Sequence, residues 1–150
     1  MNSEININNR NNISFNSRYL KIIEPEKFPK ELLTSIKANK SLDEFIKEGQ
    51  PKNILEKLKD LFKKDEYIGV YFNRYGDKTD PYVHEVLTFI RGDLKKDGLS
   101  MFGTNSFTIE ANESGKQTTK NPTHRIKEII DNITNFKEKL SKPYPEHIEL

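Results

Sequence analysis

The chain has 150 residues, of which 32% are charged and 33% hydrophobic, with a formal net charge of +2 at pH 7 and no cysteine. Disulfides and thiolate metal centres are therefore excluded, and no apolar run approaches the roughly 20 residues that a membrane-spanning helix needs. Basic ends flank an acidic middle and only five of the 25 basic residues are arginine, so no stripe for gripping phosphates emerges and nucleic acid is not an expected partner.

The length fits one domain with a single core. Residues 1–16, MNSEININNRNNISFN, hold seven asparagines and no apolar cluster, and burial there cannot offset the entropy of ordering. They read as a flexible leader ahead of a domain over 17–142. In composition alone this stretch resembles the unstructured leaders of proteins exported by bacterial type III secretion. It lacks the apolar core of a secretory signal, so the expected location is the cytoplasm, or outside it by a route without a cleavable signal. Abundant Lys, Asn and Ile, with alanine only at Ala38 and Ala111, is the usage of an AT-rich genome such as that of a bacterium or mobile element.

Arg18 to Ile23 is short and β-prone, and Pro25 limits it, which predicts a short edge strand or an entry loop. Pro29 can open a helix carrying Leu32, Leu33 and Ile36 to about Asn39. Ser41 and Glu44 are spaced as a capping box for a second helix, with Gly49 as a left-handed stop. A third helix is expected from Pro51, with Ile54, Leu55, Leu58, Leu61 and Phe62 on one face and mixed charges on the other.

At Tyr67 the period changes from helical to alternating. Ile68, Val70 and Phe72 alternate with Tyr67, Gly69 and Tyr71, the pattern of a strand with one face more buried than the other. Tyr82 to Arg91 could be a helix opened by Asp80 and Pro81, with Val83, Val86, Leu87 and Ile90 on one face, but VLTFI favours the next strand across a 76–80 turn, followed by short strands near Leu99–Phe102 and Ser106–Ala111. After a polar loop over 112–121, Pro122 opens an amphipathic helix bearing Ile126, Ile129, Ile130, Ile133, Phe136 and Leu140. The two prolines of KPYPEHIEL make residues 143–150 either a mobile tail or a segment laid across the body. The fold class expected is α+β: N-terminal helices, a small antiparallel sheet of three to five short strands, and the C-terminal helix packed on it.

Phosphate loops, dinucleotide fingerprints, nucleophile elbows and zinc-protease signatures are absent, and no cofactor or metal is expected. His84, His124 and His147 stand far apart, so a histidine metal site would require folding to collect them. Asp77, Thr79 and Asp80 read as a polar turn, since a calcium loop needs a longer run of oxygen donors. Tyr67, Tyr71 and Tyr75 share strand parity, and an exposed tyrosine row is the composition of a protein interface. These residues are the candidate binding surface, and the expected activity is protein–protein binding, as an exported effector, an immunity protein or an inhibitor. The alternative is a small RNA-cleaving toxin. There His84 or His124 would serve as acid or base, Arg74, Arg91 or Arg125 would stabilise charge, and Ser106, Thr108 and Glu110 would form a sheet floor resembling that of metal-independent ribonucleases.

Overall fold

The computed structural model describes residues 17–50, 53, 55, 65–76, 84–92, 94–95, 98–99, 105–112 and 121–150. The leader expected at 1–16 lies outside them, as do the expected third helix apart from Asn53 and Leu55, both exposed, and the greater part of the 76–80 and 112–121 loops. In chain order the elements are β1 (Arg18–Ile22), a single 3₁₀ turn (Pro25–Lys27), α1 (Lys30–Ala38), α2 (Lys40–Glu48), β2 (Glu66–Tyr75), β3 (His84–Gly92), β4 (Leu94–Lys95), β5 (Gly98–Leu99), β6 (Ser106–Asn112), α3 (Pro122–Asn132), α4 (Phe136–Lys139) and β7 (Glu146–Glu149). No described helix is long and apolar enough to cross a membrane.

The fold is α+β. Five strands form one sheet in the order β1-β2-β3-β6-β7, and β4 pairs with β5 as a separate two-stranded hairpin. The centre, β2-β3-β6, is the expected antiparallel meander, but both outer strands run parallel to their neighbours, so the sheet is mixed. The parallel pairs follow from the helices: a parallel neighbour can only be reached through a long crossover, and α1 and α2 separate β1 from β2 as α3 and α4 separate β6 from β7.

Alternation decides what the sheet buries. Ile68, Val70 and Phe72 of β2 stand beside Leu87 and Phe89 of β3, then Phe107, Ile109 and Ala111 of β6. The helices close over this face with Leu32 and Ile36 of α1, Leu42 and Phe45 of α2, Ile126 and Ile130 of α3, and Phe136 of α4. Phe136 drops between two sheet rings, with centroids 5.0 Å from Phe89 and 6.4 Å from Phe107. Glu85 is the one buried carboxylate on this face among the described residues, 1% exposed, and it is satisfied by the Arg74 guanidinium and by the Thr123 hydroxyl at 2.6 Å.

Three local expectations are corrected, and one alternative is decided. Of the two readings of the tail, the structure has the segment laid across the body: Glu146–Glu149 is the fifth strand of the sheet, turning Ile148 towards the core while Glu146 is held by Lys139 at 2.6 Å and Lys142 at 2.5 Å. The C-terminal helix does not continue to Leu140: the chain leaves it at 133–135 and a short helix resumes at α4, although the hydrophobic period runs straight through the break. The cap of α2 is Asn39 rather than Ser41: its Oδ1 accepts from the Leu42 amide at 2.9 Å and from the Ser41 hydroxyl at 2.9 Å. Gly49 has right-handed backbone angles, φ −79° and ψ −4°. What it provides is room, since a Cβ built there would lie 2.5 Å from the Cβ of Arg18.

Candidate functional site

The register that builds the core also fixes what the opposite sheet face carries. Across it, Tyr19 of β1 lies beside Tyr67, Tyr71 beside Thr88 and then Thr108 and His147, Tyr75 beside His84, and Val86 beside Glu110 and then Glu149. The four described helices pack on the other side, so Tyr67, Tyr71 and Tyr75 stand on the face that none of them covers.

The aromatic half of the face is preorganised. Tyr19 and Tyr67 have ring centroids 5.4 Å apart, and Tyr75 stacks on the His84 imidazole at 4.9 Å with 23° between planes. Tyr75 is 49% exposed and Tyr19 37%, while Tyr67 and Tyr71 are half-buried. Burial pushes the Tyr67 and Tyr71 phenols up from 10.0, helped at Tyr67 by Asp65 and Tyr19, so both stay protonated hydrogen-bond donors at neutral pH. Two stiff torsions per ring mean that such a surface loses little entropy when covered.

The polar half lies across β3, β6 and β7. The Thr88 and Thr108 hydroxyls meet at 3.2 Å. Glu110 sits between two imidazoles: its Oε1 is 3.1 Å from His147 Nε2 and its Oε2 is 3.5 Å from His84 Nε2. Glu149 is the direct cross-strand neighbour of Glu110.

The residues considered for RNA cleavage are split by the sheet. His84, Ser106, Thr108 and Glu110 share the tyrosine face, but Arg74 and Arg91 have the parity of the helix-covered face. Arg74 neutralises Glu85. Arg91 Nε donates to Glu66 at 2.7 Å and its Nη1 to the Leu140 carbonyl at 3.3 Å. His124 and Arg125 lie on α3, where Arg125 donates to the Asn112 carbonyl.

A second polar cluster, lining a shallow cleft, is formed by Arg18, Gly49, Glu66 and Arg91. Arg18 Nε donates to Glu66 at 2.6 Å and its Nη1 to the Phe45 carbonyl at 2.6 Å, while its guanidinium lies 4.0 Å from the centre of the Phe45 ring. Burial alone would push the Glu66 carboxyl up, but the hydrogen bonds from Arg91 and Arg18 outweigh it and hold the group below its ordinary 4.5. Each guanidinium here already serves a carboxylate and a backbone carbonyl, so the cluster ties β1, β2, β3, α2 and the end of α4 together.

Tyr19 and Glu149 belong to the tyrosine face but are absent from the residues singled out by sequence, where His147 figured only as one of three scattered histidines. Tyr19 follows from alternation in RYLKI once β1 is accepted as a strand, and the same alternation in EHIE signals His147 and Glu149. Comparison with protein-family models, with curated proteins and with solved structures gives no match to this chain.

Proposed function

We propose that this chain is a protein-binding module that docks its partner on the tyrosine face. The observation that carries the reading is the placement of Tyr19, Tyr67, Tyr71 and Tyr75 on the sheet face opposite the four described helices, with Tyr75 half exposed and braced by His84. An exposed ring held in one position is the composition of an interface anchor, and truncating such an anchor typically costs more than about 1 kcal/mol of binding. The composition of the chain supports a bacterial or mobile-element setting, as an effector, an immunity protein or an inhibitor. The test is a binding titration with the partner purified on wild-type protein. The Tyr19→Ala, Tyr75→Ala double variant should stay folded and bind at least about tenfold more weakly, and unchanged affinity would refute the reading.

Ribonuclease activity ranks second. Two imidazoles on one face, His84 and His147, favour it as acid and base, but the arginines meant to stabilise charge are on the other side of the sheet. Incubation of wild type and His84→Ala with transfer RNA without added metal discriminates: cleavage lost in the folded variant would put chemistry ahead of binding.

A further inference from the structure

We propose that Glu110, His147 and Glu149, with His84 beside them, form a site for a divalent transition-metal ion of the Zn2+ type on the polar half of the tyrosine face. One donor atom from each of Glu110, His147 and Glu149 already lies within 4.8 Å of the others. A zinc ion holds nitrogen and oxygen donors at about 2.0–2.2 Å, which separates tetrahedral donors by about 3.4 Å, so small side-chain rotations close the set. The His147 Nε2 to Glu110 Oε1 distance, 3.1 Å, is near that edge now. His84 stands outside that converging set: its Nε2 faces the second oxygen of Glu110 at 3.5 Å, and its ring is steadied by the stack on Tyr75.

The three donors come from two adjacent strands, and their alignment is written into the register. His147 and Glu149 are two apart on β7 and therefore share a face, while Glu110 is the cross-strand partner of Glu149. Two carboxylates directly opposite each other on neighbouring strands repel, and a dication at their meeting point cancels their charge. An imidazole joined to two carboxylates favours a borderline ion such as Zn2+ over Ca2+ or Mg2+, which take all-oxygen sets. The bound ion would clip β7, a four-residue edge strand, to β6.

The test uses the full-length chain without an affinity tag, stripped with chelator and titrated with Zn2+ by calorimetry. One equivalent should bind, and His147→Ala and Glu110→Gln should each weaken it at least about tenfold, whereas His124→Ala on α3 should leave it unchanged. In wild-type protein, one equivalent of Zn2+ should shift the ring resonances of His84 and His147 and leave those of His124 in place, a readout that does not depend on the variants folding. Absence of binding at about 1 mM Zn2+, affinity unchanged in folded His147→Ala, or a shift confined to His124 would each overturn the site.

Discussion

Gly49 and Glu66 show how single residues hold this structure. Gly49 follows α2 with ordinary right-handed angles, so its glycine identity answers to the Arg18 side chain pressed against it. Gly49→Ala should therefore destabilise the protein by about 1–3 kcal/mol, the usual cost of overpacking, in urea denaturation. A stabilising effect, expected if only backbone freedom mattered, would contradict this. Glu66 makes a pH prediction. Its carboxyl is held below 4.5 in the folded chain, so its contribution is present in full above that value and is lost as pH falls through the lower folded value. Glu66→Gln should cost on the order of 2 kcal/mol near neutral pH, since it leaves Arg18 and Arg91 without their shared counter-charge. The gap between the two proteins should narrow below about pH 4.5 in denaturation series. A gap that stays constant down to about pH 3 would show that charge is not what Glu66 supplies.

Among the elements, the joint between α2 and α3 is the one that sequence patterns hid. Asn39 caps α2 with its oxygen, and its Nδ2 donates to the Ile130 carbonyl at 2.8 Å and to the Ile133 carbonyl at 3.0 Å. One buried side chain therefore starts one helix and takes up carbonyls at the end of another, where the chain turns at 133–135 before α4. Asn39→Ala should cost about 2–4 kcal/mol, a lost cap plus a buried carbonyl without its donor, read from the denaturation midpoint. A loss below about 1 kcal/mol would mean that the cap alone matters. Periodicity could not show this break, because Ile126, Ile130, Ile133, Phe136 and Leu140 keep a helical spacing across it. Where burial is one-sided, as in β2, alternation identified both the strand and its two faces. Where a strand is an edge that buries little, as in β7, the prolines at 143 and 145 outweighed the short EHIE alternation.

Across the whole molecule, the outcome the sequence could not supply is the pairing of distant segments. β1 and β7 are parallel edges reached through helices, and these crossovers put His147 against Glu110 and Tyr19 against Tyr67. Local patterns gave the meander and the row Tyr67, Tyr71, Tyr75; the rest of the face depends on long-range register that no window of the sequence contains. The same topology places every described helix on one side, which concentrates stability there and leaves the other side to its rings, hydroxyls and imidazoles. The edges carry their own protection against pairing with other chains, with Lys21 and Pro25 at β1 and the charged Glu146 and Glu149 on β7. The central claim is that a protein partner covers the tyrosine face, and site-specific photo-crosslinking in the protein's own host cell tests it most directly. A benzophenone amino acid at position 75, and separately at 19, should give one discrete adduct of the same mass increment, with none from position 34 on the exposed side of α1. No adduct from 75 or 19, or equal yield from 34, would contradict it.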